Sequence, residues 1–110
     1  MLTDEVRYKL LKLLDSNPTV SQRDAARELG VSLGKVNYCL NALVSKGWVK
    51  ATNFKNSRNK IAYTYLLTPR GMKAKGRVTL RFLRRKMEDY DALRVEIARM
   101  REEVGKQRKQ

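Results

Sequence analysis

No histidine occurs among the 110 residues, and there is a single cysteine, Cys39. Ser-His-Asp and Cys-His centres are therefore impossible, the usual zinc-ligand spacings cannot be built from one chain, and no disulfide can close within it. Apolar runs are short as well. Nothing approaches the roughly 18 apolar residues needed to span a bilayer, and residues 1–14 carry Arg7, Lys9 and Lys12 at intervals rather than a basic start followed by an apolar stretch. Carboxylates number only 11 against 25 lysines and arginines, and they lie scattered among basic partners, a poor basis for general-base work. These absences point away from an enzyme, a metal protein, a secreted scaffold and a membrane protein. They lead to the expectation of a soluble, cytoplasmic chain without a cofactor.

What the chain has in excess is positive charge, +14 at a pI near 10.4. A length of 110 residues gives room for one small domain and a helical extension, and that charge calls for a polyanionic partner.

Val6, Leu10, Leu13 and Leu14 recur at helical spacing behind Thr3, with Asp4 and Glu5 placed where the macrodipole favours acids. Asn17-Pro18 ends that helix, because the residue before proline is pushed out of the helical region. Ser21 and Asp24 then form a capping pattern for a short second helix whose apolar side is Ala25, Ala26 and Leu29, and Gly30 is placed to stop it. Ser32 caps a third helix reaching Lys46, its apolar stripe read as Leu33, Val36, Leu40, Leu43 and Val44. Gly47 closes it. Trp48 to Phe54 and Ile61 to Leu67 read as strands around a polar hairpin tip, residues 55–60, with Trp48 packed beneath the hairpin. Helix-turn-helix plus hairpin predicts a winged helix over residues 1–68.

Thr68-Pro69 opens the last element, residues 69–110: one long helix to about Val104 with a frayed tail from Lys106. Gly71 and Gly76 weaken its first turns, by up to about 1 kcal/mol each. Its later apolar residues, Leu80, Leu83, Met87, Tyr90, Leu93, Ile97, Met100 and Val104, step by three and four like a coiled-coil seam with one irregularity near Tyr90. A core built from the preceding residues cannot cover them, so a homodimer is expected. Burial of each is worth about 1.5 to 3 kcal/mol before entropy losses. The fold class is thus mainly α with a small β-hairpin.

The charge is unevenly placed. Residues 1–52 have a net charge of +3 and residues 53–110 one of +11. The hairpin tip carries Lys55, Arg58 and Lys60, and residues 70–86 carry eight basic side chains and no acid, Arg70 and Lys73 first among them. A solvated face is the bland reading, but eight like charges in so short a run repel one another. A phosphate backbone neutralises them.

Opposite the apolar stripe of the third helix lie Gly34, Tyr38, Asn41 and Ser45, flanked by Lys35 and Asn37, and no acid occurs from Ser32 to Lys46. Such side chains read base edges in a major groove: asparagine pairs with adenine and lysine donates to guanine. Asn41 and Lys35 are the leading base contacts, and Tyr38 fits a sugar or a thymine methyl. Ser21, Gln22 and Arg23 are candidates for phosphates, with capping alone the alternative for Ser21. Cys39 reads as a small, partly buried apolar residue rather than a redox sensor.

The run Val31-Ser-Leu-Gly-Lys-Val-Asn-Tyr-Cys-Leu-Asn-Ala-Leu43, then Lys46-Gly-Trp-Val-Lys50, Asn53-Phe-Lys-Asn-Ser57 and Leu67-Thr-Pro-Arg-Gly71, resembles the MarR-type winged-helix transcriptional regulators, above all their exopolysaccharide-associated subgroup. The resemblance implies a bacterial homodimer on double-stranded operator DNA, residues 32–45 in the major groove. The wing, Lys55, Asn56, Ser57, Arg58, Asn59 and Lys60, would lie at the minor groove, with targets near polysaccharide biosynthesis genes. Typical members have an additional N-terminal helix that lines an effector pocket, whereas here the first helix starts within about three residues of Met1. Their phenolic ligands are therefore not carried over, and any small-molecule effector is unknown. Two other readings stand beside this one: an architectural protein coating DNA without a preferred site, and an adaptor whose coiled coil docks another protein.

Overall fold

The computed structural model describes residues 3–55 and 57–108. Helix α1, Asp4–Ser16, begins at Thr3, whose hydroxyl accepts from the Val6 amide at 3.2 Å. Helix α2, Gln22–Leu29, is capped by Ser21 and ends at Gly30, which takes the left-handed conformation (φ 71°) that glycine adopts without strain. Helix α3, Leu33–Ser45, starts from Ser32 in the same manner. Strands β1, Val49–Lys55, and β2, Ile61–Leu67, pair antiparallel with Val49 opposite Leu67 and Lys55 opposite Ile61. Helix α4, Pro69–Arg108, is a single run of 40 residues. This is a winged helix-turn-helix with a long C-terminal helix.

The core gathers Leu10, Leu13 and Leu14 of α1, Ala25 and Ala26 of α2, and Val36, Leu40 and Leu43 of α3, closed below by Val49 and Tyr65 of the hairpin. Ala25 and Ala26 are small, which lets α2 approach its neighbours closely. Leu11, on a further face of α1, is fully buried because α4 lies along that side of the helix, bringing Ala74 and Val78 into the interior. The stripe on α3 needs correction. Leu33 and Val44 are exposed, at 45% and 39%, and Cys39 is fully buried instead of partly so. The buried set Val36, Cys39, Leu40 and Leu43 follows the helical repeat more closely than a stripe reaching Leu33 and Val44 at its edges. On β2 only Tyr65 is buried; Ile61 and Tyr63, farther out on the wing, stand 66% and 50% exposed. The frayed tail is also corrected. The helix continues through Arg108, while Lys109 and Gln110 lie outside the described residues.

Gly71 has a specific reason. A Cβ at this position would overlap the main chain of Trp48, 2.8 Å from its carbonyl carbon and closer still to the oxygen. The same corner is tied by Thr68, whose amide donates to the Trp48 carbonyl at 3.0 Å and whose hydroxyl donates to the Gly47 carbonyl and accepts from the Gly71 amide. Gly71→Ala is therefore expected to destabilise the fold by about 1 to 3 kcal/mol, the usual range for overpacking, despite alanine's better helix propensity. Gly76, with nothing within 4 Å of an added Cβ, supplies the control: Gly76→Ala should stabilise by roughly 0.5 to 1 kcal/mol. Denaturant melts of the two variants will move in opposite directions.

Two long-range ion pairs fasten α4 to α1. Arg81 grips Asp4 with two bonds, Nε to Oδ2 at 3.1 Å and Nη2 to Oδ1 at 3.2 Å, and Lys75 meets Asp15 at 2.8 Å. The hydrogen bond from Arg81 holds the Asp4 carboxyl below the ordinary aspartate range, against a smaller opposing effect of desolvation. A depressed folded value means that the stabilisation is complete above the unfolded value, about pH 4, and is lost as pH falls through the folded one. Asp4→Asn should accordingly melt below the parent at neutral pH, and the gap should close below about pH 4. A gap that stays constant down to pH 2 would refute this pairing. Tyr8 stacks on Phe82 at 5.1 Å between ring centres and completes the contact.

Beyond this contact α4 projects from the domain, giving the molecule a length of 73 Å against 29 and 23 Å across. Among the described residues no helix is long and apolar enough to cross a membrane.

Candidate nucleic-acid interface

Ser32 sets the start of α3, its hydroxyl accepting from the Lys35 amide at 3.1 Å. From that start the helix turns Gly34, Asn37, Tyr38, Asn41 and Ser45 outward, all exposed, while Lys35 is half-buried. Tyr38 stands 60% exposed. A surface of amides, a hydroxyl and one phenol, with no acid among them, offers donors and acceptors that duplex base edges can match.

The amides are aligned with one another. Asn41 Nδ2 donates to Asn37 Oδ1 at 3.2 Å, Asn37 Nδ2 donates to Gln22 Oε1 at 3.2 Å, and Gln22 Nε2 donates to the Tyr65 hydroxyl at 3.1 Å. The series runs from α3 through the first turn of α2 to the buried tyrosine of β2. Tyr65 is itself anchored by its amide, which donates to the Pro18 carbonyl at 2.9 Å. Gln22, read from the sequence as a phosphate contact, thus has both ends of its amide engaged within the protein. It supports Asn37 from behind. Tyr65 was not among the residues expected here, and the only signal for it was its place in the alternating pattern of β2.

Ser21 caps α2 by accepting from the Asp24 amide at 3.0 Å, so its oxygen serves the helix end. Arg23 beside it is exposed. On the wing, Lys55, Ser57, Arg58, Asn59 and Lys60 are all exposed, and Asn59 turns the chain at φ 60°, a conformation asparagine tolerates better than most residues. Asn56 lies outside the described residues. Arg70 and Lys73 are exposed at the start of α4, with Arg70 reaching toward Gly47 at the end of α3. The basic stretch beyond them is not wholly available to a partner: Lys75 and Arg81 are spent on Asp15 and Asp4.

Trp48 is half-buried against the core, and the ammonium of Lys46 lies 4.9 Å from its ring centre. Burial pushes the Cys39 thiol up, away from thiolate character, as expected of a structural cysteine. Among the described residues no three histidine, cysteine, aspartate or glutamate side chains come together as a metal site would require.

Residues 3–50 match the family described as winged helix-turn-helix DNA-binding. Among solved structures, the fold is similar to that of the MarR family protein Rv2887 of Mycobacterium tuberculosis, determined with salicylic acid, at a TM-score of 0.55 and 24% identity over 68% of this chain and 54% of that one. It is also similar to the PcaV transcriptional regulator of Streptomyces coelicolor in complex with its natural ligand, at 0.61 and 18% over 84% and 70%. A third similar structure is the transcriptional repressor CouR bound to a 23-mer DNA duplex, at 0.52 and 25% over 66% and 49%. The matched region is about half the length of Rv2887 and of CouR. No curated protein matches the sequence significantly. The chain therefore has the winged-helix fold found in MarR-family regulators.

Proposed function

We propose that this protein is a homodimeric, sequence-specific double-stranded DNA-binding transcriptional regulator of the MarR type. One observation carries the reading: the acid-free outward face of α3, where Asn37 and Asn41 are held in line beside a basic wing. In this reading α3 enters the major groove, with Asn41 and Lys35 at base edges and Gly34, Tyr38 and Ser45 along the groove wall. The wing, residues 55–60, lies at the minor groove, and Ser32, Ser21, Arg23, Arg70 and Lys73 meet phosphates. CouR, similar in fold, is itself bound to a duplex in its structure. The seam from Leu80 to Val104, every member of which is at least 40% exposed in the single chain, is covered by a second copy. The resemblance of Leu33-Gly-Lys-Val-Asn-Tyr-Cys39 and Asn53-Phe-Lys-Asn-Ser57 directs the search for targets toward exopolysaccharide biosynthesis genes.

The test is selection of bound fragments from sheared source-genome DNA at about 150 mM salt with excess random competitor, where the electrostatic contribution alone is weak. Enrichment of a few sites with two-fold symmetric halves is the expected result. Uniform recovery would mean architectural coating, and no recovery would mean that the winged helix is a scaffold for protein contacts.

A further inference from the structure

We infer that the second copy covering α4 runs parallel to the first and in register with it, so that both winged helices leave the same end of the coiled coil. The inference rests on the dimeric reading above and adds an orientation to it. It starts from the seam. Leu80, Leu83, Met87 and Tyr90 alternate steps of three and four, as do Leu93, Ile97, Met100 and Val104, with one extra step of three between Tyr90 and Leu93. Two heptad frames therefore meet at Tyr90, which belongs to both.

The residues flanking such a seam decide which way the partner runs. In a parallel pair, the side chain just before a first-position seam residue faces, on the partner, the side chain five residues farther on. Lys86 then faces Asp91 of the partner subunit, and Asp89 faces Arg94 of the partner subunit. Farther along, Glu96 meets the partner's Arg101 and Glu103 meets the partner's Arg108. All four pairs are opposite in charge. The first row changes sign once, between Lys86 and Asp89, and the residues facing it change with it, from the partner's Asp91 to the partner's Arg94; Arg84, earlier in the second row, faces the neutral Thr79 of the partner subunit. An antiparallel pair instead sets each row against itself. One row would bring Arg84, Arg94, Arg101 and Arg108 together with only Asp91 among them; the other would bring together Asp89, Glu96 and Glu103 with only Lys86.

A second observation agrees. Among the described residues, none of the six acidic side chains of residues 88–103 makes an ion pair within its own chain, whereas Asp4, Glu5, Asp15 and Asp24 of the domain do and only Glu28 there does not. The distal acids are thus available to a partner helix. Parallel pairing also brings the two basic segments that begin α4 to the same end as both α3 helices and both wings. One continuous duplex can then meet the exposed basic side chains of both, Arg70 and Lys73 first among them.

The test places one cysteine far from the domain, at an exposed seam position. Val104→Cys leaves the core untouched, and Cys39, fully buried, does not compete. In a parallel pair in register the two new thiols lie side by side; in an antiparallel pair centred on Tyr90 they are roughly 40 Å apart, far beyond the span of about 6 Å that a disulfide bridges. Mild oxidation of the dilute protein is expected to give a covalent dimer that reductant returns to single chains. Light scattering of the same protein before oxidation separates the possible failures. A monomer would remove the dimeric reading itself, whereas a dimer that Val104→Cys does not bridge would overturn only the orientation. Formation of a mixed disulfide between Leu80→Cys and Met100→Cys chains, with no self-bridging at position 104, would establish the antiparallel arrangement instead.

Discussion

A variant carrying Leu83→Lys and Ile97→Lys is expected to be a folded monomer that has lost roughly two orders of magnitude or more in affinity for a two-fold symmetric site. Both side chains belong to the seam and are 51% and 40% exposed in the single chain, so lysine at either position costs the isolated fold little. In the dimer the same substitutions set two ammonium groups per helix against their own copies in an otherwise apolar seam. The affinity falls because the second winged helix no longer binds at the high local concentration that its partner provides. Mass measurement in solution reads the first consequence and a duplex titration the second. A thermal melt that keeps the transition of the domain will separate dissociation from unfolding. A variant that remained dimeric would place the interface somewhere other than the Leu80 to Val104 seam.

The parts legible in the sequence are those set by local chemistry. Thr3, Ser21 and Ser32 each cap the helix assigned to them, because a short hydroxyl before an amphipathic run has little else to bond. The two strands were legible from the change of period, but not their register: β1 runs from Val49 to Lys55, so Lys55, read as part of the tip, pairs with Ile61 instead. Where several elements contribute to one environment, the sequence was a weaker guide. Leu33 and Val44 belong to the α3 stripe by residue type, yet the neighbouring helices reach only its centre and leave both outside. Gly71 reads as a defect in a helix, while its requirement comes from the main chain of Trp48, 23 residues earlier. The amide series on α3 was invisible for the same reason. Asn37 and Asn41 are one turn apart and could be paired by spacing alone, but Gln22 and Tyr65 join them only once α2 and β2 are folded against α3. The basic run from Arg70 to Lys86 read as one field, and the fold divides it: Lys75 and Arg81 hold α4 to α1, whereas Arg70 reaches toward Gly47 just past the end of α3 and Lys73 is exposed.

Asn41→Ala and Arg58→Ala should weaken DNA binding in different ways, and the difference is the sharpest test of base readout by α3. Asn41 ends the amide series, donating to Asn37 without supporting any buried group, so alanine there removes the amide proposed to read a base and leaves Asn37 still held by Gln22. The cognate site should lose about 1 to 3 kcal/mol, roughly 5- to 150-fold, while binding to unrelated duplexes stays unchanged. Arg58 sits at the exposed tip of the wing, where a guanidinium acts on phosphate charge. Its removal should lower affinity for every sequence by a similar factor and reduce the slope of log affinity against log salt by about one. Titrations of both variants against cognate and random duplexes at two salt concentrations distinguish the two effects directly. If Asn41→Ala also weakened all sequences alike, the polar face of α3 would be a phosphate contact, and the discrimination would have to come from sequence-dependent DNA shape read by the wing and the start of α4.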